Sequence, residues 1–293
     1  MWIFLAFTVT IILAIYHLLT QNVHLKANVF MIYRGSSIVI MLLPFLFVNP
    51  ILFSAKFYIM ALLQAIITCY SDYLSFKVNQ KCGAETVSSI IPFSVIIIFF
   101  MWCVINPPIV ETYINSPLKT IGILLSFVGI ICSLRQYYKV SLSKEAVIKL
   151  MPVLVLSSLI AILNKLIMNE GNSHNVIKAV QLAWIVSFIV MIVHLFIFIY
   201  KKNKIKDLFT GEKIKAFPIF SLLLISIILR TLAIHYAQNP AYVSCLVYTS
   251  IVWVMIFEKH IKYFRFKYRD LQPAKIWKLL FVSSVIVLIL CTN

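Results

Sequence analysis

Long apolar stretches, broken by short polar punctuation, dominate the pattern along the chain. Ten of them run roughly 2–20, 28–48, 57–77, 84–105, 118–134, 147–167, 178–200, 215–237, 241–259 and 275–291. A helix needs about 20 apolar residues to cross the hydrocarbon core of a bilayer. The runs do not alternate apolar with polar positions, which excludes the strands of a membrane barrel. Asn49-Pro50, Asn106-Pro107-Pro108, Asn169-Glu170-Gly171-Asn172 and Asn239-Pro240 read as turns between segments. The first segment lacks a basic leader and a small-residue cleavage site, so it is taken as a span and not as a signal peptide. The expectation is an all-α polytopic membrane protein with ten transmembrane helices.

Composition agrees. Of 293 residues, 62% are hydrophobic and 12% charged, about half the charged share of a soluble domain. That excludes an ordinary soluble enzyme, a disordered chain and a coiled coil. The excess of 26 Lys and Arg over 9 Asp and Glu has a use here, because cytoplasmic loops are enriched in basic residues. The connections after segments 1, 3, 5, 7 and 9 hold 1, 2, 4, 6 and 7 Lys and Arg, 20 in all. Those after segments 2, 4, 6 and 8 hold 1, 1, 2 and 0, or 4. The odd connections are thus expected in the cytoplasm and both termini outside. The clusters KKNKIKDLFTGEKIK and EKHIKYFRFKYRDLQPAK are explained by topology, with anionic lipid or a partner as the alternative. The bias of lysine over arginine, with few glycines, suits an AT-rich bacterial genome. The expected location is the bacterial cytoplasmic membrane.

An internal repeat emerges when the chain is slid on itself. Offset 147 aligns 13–22 with 160–169, Asn28-Val29 with Asn175-Val176, and Arg34 with Gln181. Offset 158 sets Asp72 on Arg230 and Gln80 on Gln238, offset 156 sets Ser88 on Ser244 and Pro92 on Tyr248, and offset 155 sets Gly129 on Ser284. The order points to two five-helix halves, 1–134 and 147–293, joined by a cytoplasmic linker, 135–146. Five is odd, so the second half crosses in the opposite sense. Inverted halves are a common architecture of secondary transporters.

With this pattern, the chain resembles the drug/metabolite transporter superfamily, in its EamA-like ten-helix branch. GAETVSSIIPFSVIIIFFMW (83–102) resembles the family's fourth helix, a small-residue entry followed by a mid-helix proline. NPAYVSCLVYTSIVWVMIFEKH (239–260) resembles its ninth, ending in Glu258, and TIGILLSFVGIICSL (120–134) its fifth, with Gly122 and Gly129. The chain departs from the family in three places. The fourth segment ends in Ile105-Asn106-Pro107 where the family has a glutamate, Thr249 and Ser250 stand where the ninth commonly has a proline, and the tenth lacks glycines. The resemblance implies a carrier of small organic solutes.

Charges inside a membrane are costly and point to function. Arg34 and Asp72 both fall roughly 5 Å to the cytoplasmic side of the midplane at 1.5 Å per residue. They are expected to pair or to line a cavity together, the plain alternative being a structural ion pair. Arg230 lies on the outer side, level with Gln181. Without a fixed acid it can receive a substrate carboxylate or phosphate, or snorkel to the interface. Tyr70, Tyr73, Trp184, Tyr248 and Trp253, with Ser88 and Ser89, sit where the family lines its cavity. The substrate-binding candidates are therefore Arg34, Asp72, Tyr73, Gln181, Trp184, Arg230 and Tyr248. Gly122 and Gly129 read as close-packing sites. Glu258 is a solvated residue or a proton-exchanging one. No catalytic set, nucleotide loop, disulfide framework or metal spacing is present, so no cofactor is implied. The partners are the bilayer, a small organic solute and, as a further candidate, a second copy of the chain, but no nucleic acid. The reading is a secondary transporter working by alternating access. A membrane enzyme acting on lipid or a lipid-linked substrate is the rival, and a channel or scaffold the third class.

Overall fold

The structure is a computed structural model. It describes residues 1–20, 25–48, 53–82, 90–138, 144–171, 174–202, 208, 219–260 and 275–292. Among these, all regular structure is helical. The helices are α1 (Trp2–Thr20), α2 (Ala27–Val48), α3 (Ala55–Cys82), α4 (Ser94–Ile105), α5 (Pro107–Asn115), α6 (Pro117–Tyr138), α7 (Lys144–Asn169), α8 (Asn175–Tyr200), α9 (Ile219–Tyr236), α10 (Pro240–Val247), α11 (Ser250–His260) and α12 (Lys275–Thr292). Each of the ten apolar segments carries a helix, and two are interrupted.

Among the described residues, six helices are long and apolar enough to cross a membrane: α2, α6, α7, α8, α9 and the 55–75 part of α3. Residues 91–105 with α5 make a seventh if that bent pair is one span, and stretches 2–16, 240–254 and 279–292 are shorter apolar helices. The chain is an all-α polytopic membrane protein. Its outer surface agrees, since large apolar side chains such as Leu118 (85% exposed), Phe196 (70%) and Leu290 (69%) cover it. A soluble monomer does not show so continuous an apolar exterior.

Two expectations about local structure change. Asn106-Pro107-Pro108 turns the chain as expected, but Pro107 also starts a further helix. Proline suits the first helical turn because its missing N–H has no intrahelical partner there. α5 turns 108° from residues 91–105 and buries Ile109 and Tyr113. The ninth segment is not one helix. Tyr248 and Thr249 form a turn between α10 and α11, where the Thr249 hydroxyl donates to the Leu246 carbonyl at 2.6 Å. The fourth segment breaks too, with a 3-10 turn at Ile91–Phe93 around Pro92. Its entry, including Glu85, Ser88 and Ser89, lies outside the described residues, as do most of both basic clusters and the side chain of Glu258.

The closest packing joins α2 to α8, α6 to α12, α1 to α9 and α3 to α7. α3 also packs on α8, α2 on α9, α4 on α7 and α10, α1 on α10 and α11, and α9 on α7 and α8. Between lipid-bathed helices no water is released by burial, so close approach at small residues does the work. A Cβ built at Gly35 would sit 2.7 Å from the Ser187 carbonyl and 2.8 Å from the Met191 Cβ. One built at Gly129 would meet the Ser284 hydroxyl at 2.1 Å, and one at Gly122 the Cys291 sulfur at 2.6 Å. Gly122 lies seven residues before Gly129 and Cys291 seven after Ser284, so α6 and α12 run antiparallel.

The obstruction differs between these crossings. At Gly35 it includes backbone, which cannot rotate away, whereas at Gly129 a serine hydroxyl can swing aside. Gly35→Ala is therefore expected to destabilise the solubilised protein by about 1–3 kcal/mol, the range of an overpacked core. Gly129→Ala is expected to cost under about 1 kcal/mol. Thermal unfolding in one detergent, compared between the two variants, checks the order.

Candidate functional site

Two polar layers interrupt the apolar interior, one on each side of the α2–α8 crossing. Gly35 meets α8 between Ser187 and Met191. One turn beyond Met191 along α8 is His194, and one turn before Ser187 is Trp184. The crossing thus fixes how far each of these side chains stands from α2.

In the first layer the Arg34 guanidinium donates to the Asp72 carboxylate, joining α2 to α3. Their side chains are 18% and 27% exposed. The expected approach of the two charges is thus present. Tyr16 of α1, Cys69 of α3 and His194 of α8 lie within electrostatic reach of both charges. His194 is 1% exposed, and neither ring nitrogen makes a side-chain or backbone hydrogen bond of good geometry. The Tyr73 ring lies 6.1 Å from the imidazole, with the Lys77 ammonium 5.9 Å above that ring. His194 was not singled out from the sequence, where the histidines were weighed for metal spacing alone. The signal was there, an ionisable residue inside a 26-residue apolar helix.

The second layer joins α3, α7 and α8. Gln181 donates to the Tyr58 hydroxyl at 3.1 Å, and Gln64 donates to Asn164 Oδ1 at 3.0 Å. Trp184 stacks on Phe188, centroids 5.0 Å apart and planes 7° off parallel. Several buried polar atoms make no hydrogen bond among the described residues: Oε1 of Gln181 and of Gln64, Oγ1 of Thr68, Nε1 of Trp184 and Nε of Arg230. Native interiors leave few such atoms, and each calls for an explanation. Gln64, Thr68 and Asn164 were not among the sequence candidates, since uncharged residues in an apolar run carry little signal.

The remaining candidates separate. The Tyr248 hydroxyl lies 2.9 Å from the Ser94 hydroxyl, tying the turn after α10 to α4, and Ser158 of α7 donates to the Ser94 carbonyl at 3.3 Å. Tyr70 is 57% exposed, so it faces outward and does not line the interior. Trp253 stands edge-on to Phe7 of α1 at 5.4 Å.

The structure also moves two charges. Lys165 and Lys178 were counted with the connection after the sixth segment, but both are buried within helices. Lys165 Nζ donates to the carbonyls of His235 and Ala237, each at 2.6 Å, closing the end of α9. Lys178 Nζ donates to the carbonyls of Glu170 at 2.5 Å and Gly171 at 2.7 Å, just past α7. A helix leaves its last four carbonyls without partners, and its C-terminal end favours a cation. The Glu170 carboxylate meets Lys56 at 2.8 Å, and that hydrogen bond holds its pKa below the usual carboxylate range.

No protein-family model and no curated protein sequence matches the chain. The site therefore rests on its own geometry. The Arg34–Asp72 bridge gives a direct test. Removing one partner leaves an uncompensated charge, which costs 3–5 kcal/mol when fully buried. With both side chains partly exposed, about 2 kcal/mol is expected. Arg34→Ala and Asp72→Ala should each reduce the yield of monodisperse solubilised protein, and the double variant should recover it in part. A double variant as poor as the sum of the two would show that the charges do not depend on each other.

Proposed function

We propose that the chain is a secondary transporter that moves a small organic metabolite across a bacterial cytoplasmic membrane by alternating access. Its ten apolar segments cross the membrane as two inverted halves, 1–134 and 147–293, in the manner of the EamA-like branch of the drug/metabolite transporter superfamily. The observation that carries this reading is the way the helices pair.

Exchange each segment with the one five places on, and most of the strong contacts map onto one another, α7 against α9 being the main exception. α1 against α9 becomes α7 against α3, α1 against α10 and α11 becomes α7 against α4, and α2 against α9 becomes α8 against α3. The pairs α2–α8, α6–α12 and α4–α10 map onto themselves. In a two-fold arrangement only residues at the axis touch their own counterparts. Gly129 packs on Ser284, its counterpart at offset 155. Tyr248 bonds to Ser94, two residues from its counterpart Pro92 at offset 156. The breaks in the fourth and ninth segments fall at these same equivalent positions. The antiparallel course of α6 and α12 fits an axis in the membrane plane, as inverted repeats require.

The charge distribution supports the orientation. With Lys165 and Lys178 withdrawn as buried caps, the even connections keep 2 of their 4 basic residues, against 20 in the odd ones. Both termini then face outward. Broken helices with polar side chains at the repeat interface are where carriers of this design hold their substrates.

The test is uptake by purified protein in liposomes, screened against labelled metabolites. A carrier shows saturable uptake that is accelerated by unlabelled substrate on the far side. Flux that rises linearly with concentration, without that acceleration, would make the protein a channel. For any substrate found, the double variant Arg34→Ala with Asp72→Ala is expected to fold and yet fail to transport. Full uptake by either single variant would remove the pair from the mechanism. Labelling of a cysteine at position 293 only from the cytoplasmic side would overturn the orientation.

A further inference from the structure

We propose that His194 is a proton-binding residue which, through Asp72 and Arg34, couples the carrier to protons. The coupling rests on the carrier reading above. The proton site itself does not.

The first argument is burial without a partner. His194 is 1% exposed, and neither of its ring nitrogens makes a hydrogen bond of good geometry among the described residues. A neutral imidazole has one N–H donor and one acceptor nitrogen. Native interiors seldom leave such groups bare, because each costs its full desolvation. Packing alone does not call for an imidazole here. Its ring contact with Tyr73, 6.1 Å between centroids and tilted by 34°, could be made as well by phenylalanine. Ionisable residues held at this cost inside a membrane mark proton relays among other functions, and histidine is the side chain that ordinarily titrates between pH 5 and 8.

The second argument is what surrounds the ring. From α3, Asp72 and Cys69 act on it, with Tyr73 against it and Lys77 over the Tyr73 ring. From α2 comes Arg34, while Tyr33 of the same cluster is committed to the Leu208 carbonyl. Tyr16 of α1 acts on the bridge. α9 offers only apolar side chains to this part of α8, Ile219, Phe220, Leu222 and Leu223, and α7 meets α8 near Leu182 through Leu163 and Ile167. Asp72 is the one acid of this set, and Arg34 already holds it. A proton on His194 leaves two cations sharing one carboxylate. The tie of α2 to α3 then weakens, and α8 is drawn to α3. The α3–α8 contact is one of the pair that the repeat exchanges with α2–α9, so a proton acts on the contacts that the two halves hold alike. The step moves one proton: a hydronium O–H bond breaks, an N–H bond forms on the imidazole lone pair, and release reverses both. No electron changes hands.

The proton is itself the probe. Solubilised protein labelled with 15N-histidine is titrated by NMR, and His194→Gln identifies the signals that belong to His194. The ring is expected to titrate between about pH 4.5 and 8. Asp72→Asn, which removes the counter-charge, should lower the midpoint by about one pH unit, a tenfold loss of proton affinity, and Arg34→Gln should raise it by a similar amount. If His194→Gln does not fold, those opposite responses identify the ring by themselves. A His194 that stays neutral over the whole range, or titrates alike in both charge variants, overturns the proposal. The transport arm uses liposomes and the solute found by the labelled screen. With one pH unit across the membrane, applied in each sense, one of the two should accumulate the solute about tenfold if one proton moves per molecule. In His194→Gln the ratio of uptake with the gradient to uptake without it should fall to about one. A histidine needed only for structure would lower both alike and keep the ratio, which would overturn the coupling. A His194 that titrates as expected in a protein that transports nothing would leave the proton site standing and remove the carrier. Saturable uptake by wild type that ignores the gradient would keep the carrier and remove the coupling.

Discussion

The crossing of α2 over α8 at Gly35 is the constraint on which the interior depends. Helices in lipid gain nothing from expelling water, so their association rests on contact at short range and on internal hydrogen bonding. Gly35 lets the two backbones meet where a Cβ would strike the Ser187 carbonyl. Arg34 is its chain neighbour, and His194 and Trp184 stand a turn to either side of the contact on α8. One backbone approach therefore spaces both polar layers, the Arg34–Asp72 bridge on one side and the Gln181–Tyr58 hydrogen bond on the other. α8 also packs on α3 and α9, which brings Asp72, Tyr58 and Arg230 to the same helix. A displacement of α8 would disturb the Gln181–Tyr58 hydrogen bond and the contact of Tyr73 with His194.

Backbone carbonyls, as well as acids, neutralise charge here. With few acids in the chain, Lys165 and Lys178 find their partners at helix ends, where the dipole and the unpaired carbonyls already offer negative potential. An unbonded carbonyl in hydrocarbon is expensive, so each lysine removes two problems at once. Arg230 stands mid-helix, where the carbonyls are already taken by the helix itself. That difference in position explains why the two buried lysines have carbonyl partners and Arg230 has none among the described residues.

The segments were legible as apolar runs, and each of the ten carries a helix, six of them long and apolar enough to cross a membrane among the described residues. What lies within a run was less legible. In a helix that is apolar on all sides no periodicity marks the inner face, so Tyr70 and Tyr73 looked alike although only Tyr73 turns inward. Pro107 was ambiguous in principle, because the ring that ends one helix can begin the next. The break after Tyr248 has no proline or glycine to announce it. The pairing of Arg34 with Asp72 was readable from depth alone, since two opposite charges at one level of neighbouring helices have few other partners. Lys165 and Lys178 were misplaced because a lysine near a helix end looks like a loop charge until the neighbouring helix terminus is seen.

The exchange relation between the segments is incomplete, and the chemistry of its most extensive exception limits how the two sides can move. α7 packs on α9, whereas α1 and α3 have no comparable contact. In a carrier of two alike, inverted halves, a contact present in one half and missing in the other marks the state in which the molecule stands, and it should swap when the state changes. The α7–α9 contact is held by the Lys165 ammonium on the carbonyls of His235 and Ala237. At offset 147 the counterpart of Lys165 is Leu18, which is buried in an apolar cluster with Val254. A leucine cannot cap a helix end. On the repeat reading, the first half then has no means of making the same tie, and the asymmetry lies in the side chains as well as in the conformation. On the carrier reading, the α7–α9 end acts as a fixed post. Alternation is then left to contacts that are alike in both halves: α2 against α9 exchanging with α3 against α8, about the close crossing at Gly35.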